Sequence, residues 1–561
     1  MGPADTAVPE VSFDADPGHY RHIRLEATGE IAKIVLRVDE SGGLVPGYDL
    51  KLNSYDLGVD IELHDAVQRL RFEHPEVRAV IITGGLDKVF CAGANIRMLA
   101  QSAHPWKVNF CKFTNETRAA IEDATEHSGQ VYLAAINGTA AGGGYEMALA
   151  CDQIILVDDG STAVSLPEVP LLAVLPGTGG LTRVVDKRGV RKDLADVFAT
   201  QSEGVRGQTA KAWRLVDEAA PPSRFEQAVR ERAEAAATRS HRPRDAAGIA
   251  LTPLERVVTS DRIRYPHVVA ELDRPAGIAE ITVHGPRDEA PDSVAAIHGL
   301  GAAFWPLAVT RELDDLILRL RTNELELGTW TIRTSGDINR VLGYEQLLAA
   351  HRHDWLAGEI RHYWKRTLKR LDVTSRSLIA LIEPGSCFAG ALMELALATD
   401  RQYMLDGVAE EGPAAGLDPA AIVVTQANFG AFPMANRLSR LASRFYGDPG
   451  QLAKLAVETG RRIEAAEALE LGLVTFAPDD IDWADEVRIA LEERASLSPD
   501  ALTGMEANHR FVGPETIETK IFARLTAWQN WVFTRPNASG PEGALRRYGT
   551  GQRPTFDRRR A

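Results

Sequence analysis

The stretch AAINGTAAGGGYEMALACD, residues 134–152, decides the predicted fold because it occurs twice. Its second copy is LIEPGSCFAGALMELALATD, residues 381–400, and the aspartates that end the two stretches lie 248 residues apart. This alignment places Glu146 opposite Glu394. Each copy begins with an apolar run, continues with small residues and ends in a strongly helical pattern, which predicts a strand, a tight turn and a helix.

Two further pairs of segments repeat at nearly the same spacing. YRHIRLEATGEIAKI from Tyr20 matches YPHVVAELDRPAGIAEI from Tyr265, 245 residues later, and both predict strands. IELHDAVQRLR from Ile61 matches TRELDDLILRLR, where Leu63 and Leu313 lie 250 residues apart. Apolar residues at three- and four-residue steps predict an amphipathic helix in each. A β-rich run follows each helix, so the order strand, helix, strand predicts a duplicated α/β fold with parallel strands.

The repeat divides the chain into four predicted parts. An acidic tail, residues 1–17, precedes a first copy at residues 18–260, and a second copy follows at residues 261–495. A helical extension with a basic, arginine-rich end completes the chain at residues 496–561, and we expect that end to be solvated.

Composition excludes several classes of protein. The chain has 561 residues, 45% of them hydrophobic and 25% charged, which is typical of large globular proteins. A net charge of -15 argues against a chain held mainly on nucleic-acid phosphates or on anionic membranes. Four cysteines without a C-x-x-C pair, no apparent signal peptide and no long apolar run favour a reducing, cytoplasmic location.

The candidate catalytic residues lie in three segments of the first copy. VFCAGANIRML, residues 89–99, has small residues that leave backbone amides free to donate. Three glycines open the helix that carries Glu146, where exposed amides favour developing negative charge. SLPEVPLLAVLPGTGG presents Glu168 in a proline-punctuated loop.

Each segment also has a plain structural explanation. The first can be an ordinary strand-to-helix turn, the glycines can serve close packing, and Glu168 can be a solvated side chain. Together, however, two amide-rich turns and two carboxylates are what is needed to polarise a carbonyl group and move protons beside it.

The order F-C-A-G-A-[DN]-I, then N-G-x-x-x-G-G-G-x-E, then L-P-E-V with a following P-G-x-G-G resembles the enoyl-CoA hydratase/isomerase, or crotonase, family. The resemblance covers the whole first copy. It implies the ClpP/crotonase spiral fold, here duplicated, and an acyl-CoA thioester and water as small-molecule partners. It implies no separate cofactor, because coenzyme A is part of the substrate.

The same resemblance implies roles for individual residues. The backbone amides of Ala94 and Gly143 would form an oxyanion hole for the thioester oxygen, and Glu146 and Glu168 would hold and activate water. The sequence leaves open which glutamate is the acid and which is the base.

Three further residues belong to the predicted substrate site. Lys51 and Arg97 occupy positions where the family binds coenzyme A, although each is otherwise an ordinary exposed basic residue. Cys111 lies where the crotonase chain folds over the acyl pocket, and the alternative is a buried, inert cysteine.

The length and the duplication resemble a narrower group of the superfamily, the benzoyl-CoA-dihydrodiol lyases, also described as 2,3-epoxybenzoyl-CoA dihydrolases. This resemblance implies a carbon–carbon lyase of aerobic benzoate degradation. Such an enzyme opens the ring of 2,3-epoxybenzoyl-CoA, or of its dihydrodiol, with two waters to give 3,4-dehydroadipyl-CoA semialdehyde and formate. The alternatives are a 2-enoyl-CoA hydratase and a C–C hydrolase of another alicyclic acyl-CoA. We expect a homo-oligomer, with a dimer favoured.

The second copy is predicted not to be catalytic. It keeps Glu394, but Ala391 and Leu392 stand where the first copy has Gly143 and Gly144, and it lacks F-C-A-G and L-P-E segments. The sequence contains no G-x-S-x-G, H-E-x-x-H or G-x-x-x-x-G-K-[ST] motif and no cysteine cluster. Serine, metal-dependent and nucleotide hydrolysis therefore lack support, and no metal site is expected.

Overall fold

A computed structural model describes residues 10–408 and 416–561. Residues 1–9 of the predicted acidic tail lie outside the described residues. The chain divides into two compact units, residues 1–252 and 253–561. Within the described ranges, no helix combines the length and the apolar character needed to cross a membrane.

The first unit alternates strands and helices. Its strands are β1 (Ile23–Thr28), β2 (Ile31–Leu36), β3 (Ala79–Gly84), β4 (Lys88–Cys91), β5 (Val131–Ile136), β6 (Gly138–Ala141), β7 (Gln153–Val157), β8 (Ala163–Ser165), β9 (Val205–Arg206) and β10 (Glu218–Ala220). Its α-helices are α1 (Leu57–Phe72), α2 (Ile96–Gln101), α3 (His104–Asp123), α4 (Gly143–Ala150), α5 (Glu168–Leu172), α6 (Gly180–Thr182), α7 (Lys192–Thr200), α8 (Gly207–Ala212) and α9 (Pro222–Arg239).

Two sheets organise this unit. The main sheet has the order β1-β2-β3-β5-β7-β10, with an antiparallel β1–β2 hairpin and parallel pairing beyond it. The smaller sheet has the order β4-β6-β8-β9. Successive turns of the chain add β3 and β4, β5 and β6, and β7 and β8, one strand to each sheet, so the chain rises as a spiral. The strands β3 and β5 are buried on both faces, which explains their almost uninterrupted apolar sequences.

The second unit contains the corresponding elements and a longer helical part. Its strands are β11 (Val257–Val258), β12 (Arg262–Arg264), β13 (Val268–Asp273), β14 (Ile278–His284), β15 (Thr329–Ser335), β16 (Ser377–Ile382), β17 (Arg401–Met404), β18 (Ala421–Ile422) and β19 (Ile463–Glu464). Its α-helices are α10 (Val294–Leu300), α11 (Trp305–Asn323), α12 (Ile338–Ala350), α13 (Trp355–Asp372), α14 (Gly390–Leu397), α15 (Arg440–Arg444), α16 (Pro449–Val457), α17 (Ala465–Glu470), α18 (Trp483–Ser496), α19 (Pro499–Arg510), α20 (Ile517–Thr519), α21 (Thr526–Thr534), α22 (Pro536–Ser539) and α23 (Ala544–Arg547).

The second unit repeats the main sheet of the first. Its order is β11-β12-β13-β14-β15-β16-β17, in which the hairpin β13–β14 and the parallel strands β15, β16 and β17 match β1–β2, β3, β5 and β7. Side-chain contacts repeat as well. The Tyr20 hydroxyl donates to Asp65, and the Tyr265 hydroxyl donates to Asp315 at 2.6 Å. The duplicated α/β fold predicted from the sequence is confirmed.

The predicted helical extension is also present, because α19 to α23 follow Ser496. The prediction of a solvated end, however, is wrong at Arg560, which is only 3% exposed. Its guanidinium donates to Glu506 Oε2 at 2.5 Å and to the Gly328 carbonyl at 3.0 Å. A buried arginine needs such partners, and the extension itself supplies the Glu506 carboxylate from α19.

Candidate active site

Glu146 is the side chain around which the site is built. It lies in the first turn of α4 and is 2% exposed. Its Oε1 accepts hydrogen bonds from the backbone amides of Gly180 at 2.7 Å and Thr178 at 3.0 Å, and the Thr178 hydroxyl donates to Oε2. These uncharged donors fix the carboxylate without pairing it with a cation.

The three glycines before Glu146 each have a neighbour that excludes a side chain. A Cβ on Gly142, whose φ is +52°, would lie 2.7 Å from Glu168 Oε1. A Cβ on Gly143 would collide with the hydroxyl of Tyr55, and one on Gly144 would collide with the last carbonyl of β4. The glycines therefore serve both close packing and function. Without side chains at these positions, the segments pack closely and a second carboxylate reaches the start of α4.

Glu168 is that second carboxylate. It is the first residue of α5 and is half-buried, and its Oε2 is buried with no hydrogen-bond partner in the described part of the chain. Burial, and then the negative charge of Glu146, raise the pKa of Glu168 to about 7. The two glutamates thus differ, because at neutral pH Glu168 exchanges a proton readily.

The two predicted oxyanion amides lie in neighbouring segments. Tyr55 holds the loop around Ala94 by accepting from the Asn95 amide at 2.8 Å and donating its own amide to the Gly93 carbonyl at 3.0 Å. Within the described residues, the Ala94 amide between these contacts has no acceptor. The Gly143 amide is the first of α4 and therefore has no partner within that helix. A Cβ on Gly93 would lie 2.9 Å from the Gly143 nitrogen, so the two segments are in contact.

Lys51 and Arg97 line one cavity together with Ala94. The cavity has a volume of about 250 Å³, and its walls are formed by Asp49, Lys51, Ser54, Ala92, Ala94, Asn95, Ile96 and Arg97. Both basic side chains are exposed, and the Lys51 ammonium lies 3.9 Å from the Asp49 carboxylate. The structure therefore brings Lys51 and Arg97, the residues predicted to bind coenzyme A, to the same cavity as Ala94. Basic side chains of this kind bind the phosphate groups of coenzyme A.

Cys111 lies on α3 beside the loop that holds Glu146. Its Sγ is 3.7 Å from the position of a Cβ on Gly177, the residue before Thr178. Burial, and then the charge of Glu146, raise the pKa of the Cys111 thiol to about 11. The thiol is therefore protonated at neutral pH, which suits a pocket wall better than a nucleophile.

Sequence reasoning missed two residues that shape this site. Thr178 fixes Glu146 with two donors, and the sequence signal for it is the P-G-T-G-G motif. Tyr55 contacts both oxyanion segments, but a tyrosine before an amphipathic helix carries no recognisable signal.

The corresponding place in the second unit is chemically closed. Glu394 is 1% exposed, and its Oε2 accepts from Arg440 at 2.8 Å, while Oε1 accepts from Asn428 at 2.8 Å. Arg440 also pairs with Asp372 at 2.7 Å. Glu394 is thus part of a buried ion-pair network.

A second carboxylate fills the start of α14. Gly390, which aligns with Gly142, would place a Cβ on the carboxylate of Glu345. That carboxylate also contacts the Ala391 amide, the equivalent of the Gly143 amide, and the Thr425 hydroxyl. The amide that would receive a thioester oxygen in this unit already faces a carboxyl group of its own chain.

Comparison with known proteins agrees with the motifs. The family described as enoyl-CoA hydratase/isomerase matches residues 49–254. The benzoyl-CoA-dihydrodiol lyase of Aromatoleum evansii is 56% identical over 547 residues, which cover 98% of this chain and 97% of that protein. The fatty acid oxidation complex subunit alpha of Shewanella loihica (strain ATCC BAA-1088 / PV-4) is 35% identical over 181 residues, 30% of this chain and 23% of that protein. Among solved structures, the enoyl-CoA hydratase from Bacillus anthracis is 30% identical, with a TM-score of 0.34, and the match covers 39% of this chain and 77% of that one.

Proposed function

The chain belongs to the family of the benzoyl-CoA-dihydrodiol lyase, within the crotonase superfamily, and we propose that it cleaves the dearomatised ring of 2,3-epoxybenzoyl-CoA. The family membership predicted from the motifs is confirmed, and the chain is an enzyme of this lyase family. The proposed products are 3,4-dehydroadipyl-CoA semialdehyde and formate. The epoxide consumes two waters, whereas its dihydrodiol already contains the elements of the first.

The unequal pair of carboxylates at the start of α4 carries this proposal. Glu146 is held by uncharged donors, and Glu168, whose pKa is raised to about 7, faces Gly142 next to it. A held carboxylate suits the activation of water, and a carboxylic acid that is partly protonated at neutral pH suits proton donation. We assign Glu146 as the base and Glu168 as the acid.

In the first step, the amides of Ala94 and Gly143 donate hydrogen bonds to the thioester oxygen in the oxyanion hole. Glu146 takes a proton from water as the water attacks the activated ring carbon. The carbon–oxygen bond of the epoxide breaks, and Glu168 gives its proton to the departing oxygen. One new hydroxyl keeps the second proton of the water and the other carries the proton from Glu168. The proton that Glu146 took then returns to Glu168 through solvent, so both carboxyl groups are restored.

The second step uses the same oxyanion hole. The ring opens when the hydroxyl next to the thioester's α-carbon loses its proton and the bond between the two hydroxyl-bearing carbons breaks. The electron pair of that bond passes through the diene to the thioester oxygen, and protonation and tautomerisation turn the other hydroxyl-bearing carbon into an aldehyde. The carbon attached to the thioester's α-carbon is then a formyl group. Addition of the second water to that formyl carbon and cleavage of its bond to the α-carbon release formate. The electron pair of that bond passes to the thioester enolate, which the two amides stabilise. Protonation of the enolate gives the semialdehyde.

The test is to incubate the full chain separately with enzymatically prepared 2,3-epoxybenzoyl-CoA and with crotonyl-CoA. Products are followed by mass spectrometry and by a formate assay, in buffer containing EDTA and no added cofactor. Glu146→Gln is the matched control, because it keeps the size of the side chain and removes the carboxylate.

Formate and the ring-opened semialdehyde, formed by the parent chain and not by the control, would establish the proposal. Hydration of crotonyl-CoA without formate release from the epoxide would overturn it in favour of a hydratase. That second outcome would leave the oxyanion hole and the paired glutamates in place, since both reactions add water beside a thioester.

A further inference from the structure

A cavity in the second unit lies outside the site described above. It has a volume of about 330 Å³ and opens at the carboxyl ends of β14 and β15, which finish at His284 and Ser335. The helix α12 begins just beyond, after Asp337. Ligands of open α/β sheets bind in this position, outside the carboxyl ends of parallel strands.

Basic side chains dominate the walls of this cavity. They are Arg264, His284, Arg287 and Arg340. Arg340 pairs with Glu289 at 3.1 Å, whereas the guanidinium groups of Arg264 and Arg287 are exposed and have no partner among residues 10–408 and 416–561. Two uncompensated cations therefore face one concave space.

One carboxylate also lines the cavity. Asp337 caps α12, where its Oδ1 accepts from the Asn339 amide at 2.7 Å and the Arg340 amide at 3.1 Å. Burial lowers the pKa of His284, and the charges of Arg287 and Arg264 lower it further. Three arginines and one carboxylate therefore line the cavity, in a chain whose net charge is -15.

We propose that this cavity, which we name the β14–β15 pocket, binds a phosphate-bearing anion between Arg264 and Arg287. Guanidinium groups match phosphate oxygens in pairs of parallel hydrogen bonds, and two of them lining one cavity favour a group with several anionic oxygens. The pocket belongs to the second unit and does not depend on the reaction proposed for the first.

Isothermal titration of the full chain with pyrophosphate, at low ionic strength, tests this proposal. The Arg264→Gln/Arg287→Gln variant should bind at least tenfold more weakly than the parent chain. The matched control is Arg461→Gln/Arg488→Gln, because both residues are in the second unit, are exposed and pair with neighbouring carboxylates. The control changes the net charge by the same amount and should bind like the parent. Circular dichroism verifies that each variant is folded.

Parallel titrations identify the source of the phosphate group. Inorganic phosphate and 3′,5′-ADP, the nucleotide portion of coenzyme A, are titrated into a Lys51→Gln/Arg97→Gln variant, so that binding in the first unit is removed. Binding that persists there and is lost with Arg264 and Arg287 supports the β14–β15 pocket. Equal affinity of the parent and the pocket variant, or no binding of pyrophosphate to the parent at millimolar concentration, would overturn it.

Discussion

The two units place a glutamate at the same point of the same helix and surround it with opposite chemistry. Glu146 accepts hydrogen bonds from the amides of Thr178 and Gly180, whereas Glu394 forms an ion pair with Arg440 at 2.8 Å. Amide and hydroxyl donors orient a carboxylate without cancelling its charge. A buried arginine instead neutralises that charge, so the carboxylate of Glu394 has a structural role and is no longer available to water.

The carboxyl groups that face Gly142 and Gly390 provide a second comparison between the units. Gly142 and Gly390 both have positive φ, +52° and +48°, and each faces a glutamate. Each carboxyl group has a buried Oε2 without a hydrogen-bond partner among the described residues, but Glu345 also contacts the Ala391 amide at the start of α14. The second unit thus keeps the backbone geometry of the site and fills it with its own side chain. It also keeps the fold, while its helix glutamate is held in an ion pair with Arg440.

The largest expected difference between the units is in turnover after loss of the helix glutamate. Glu146→Gln should lower kcat by about 100- to 10,000-fold, because a general base is lost. Glu394→Gln should leave kcat close to the parent value and should lower the melting temperature, because Arg440 loses one of its carboxylate partners. Formate release and thermal unfolding, measured on both variants, separate the two effects.

A Glu394→Gln chain that keeps its fold and loses turnover would show that the second unit takes part in catalysis. Full turnover of Glu146→Gln would remove the base from our assignment. Either result would erase the contrast between the two helices.

The oxyanion segments provide a second, smaller contrast. Gly143→Ala places a Cβ against the Tyr55 hydroxyl and should displace the amide, lowering kcat by about 100- to 1,000-fold, as when one oxyanion donor is lost. Ala391→Gly in the second unit should leave kcat within about twofold of the parent value, because the Ala391 amide faces Glu345 and is not expected to bind substrate.

The double variant Gly143→Ala/Tyr55→Phe tests the steric reason directly. Removal of the hydroxyl leaves the ring carbon Cζ, at 2.8 Å, as the shortest contact of the new methyl group, so the collision is relieved in part and part of the lost kcat should return. If the double variant is as slow as Gly143→Ala alone, the collision with Tyr55 is not the cause.

The sequence was sufficient to predict the duplicated fold, and the roles of the residues in the family motifs stay predictions. The repeat survives in apolar spacing and in paired residues such as Asp152 and Asp400, which are readable along the chain. The motifs also brought Ala94 and Gly143 into one prediction, and their segments are in contact.

What the sequence could not show depends on contacts between distant segments. Arg440 and Glu394 lie 46 residues apart in the sequence, and no motif near either residue predicts that they form an ion pair. Burial of Arg560 depends on Glu506, a partner that an arginine-rich end alone does not suggest. Glu345 lies in a helix with no equivalent in the motifs, so the filling of the second site was visible only in three dimensions.

The smallest predicted effect concerns pH and sharpens the difference between Glu146 and Glu168. Because the pKa of Glu168 is raised to about 7, the acid loses its proton above that pH, and kcat/KM should fall about tenfold per pH unit on the alkaline side. Glu168→Gln should be slow at every pH and should lose this alkaline limb.

The same shift predicts a stability effect of known sign. The folded chain holds the Glu168 proton more tightly than the unfolded chain, whose carboxyl has the ordinary pKa of 4.5, so stability contributed by this group is lost as pH rises from there to about 7. Above pH 7, Glu168→Gln should therefore melt at a higher temperature than the parent, and below pH 4 the two should coincide. If Glu168→Gln melts at a lower temperature than the parent at pH 8, the Glu168 carboxylate stabilises the fold. The prediction that this group lowers stability in return for its chemical role would then be wrong.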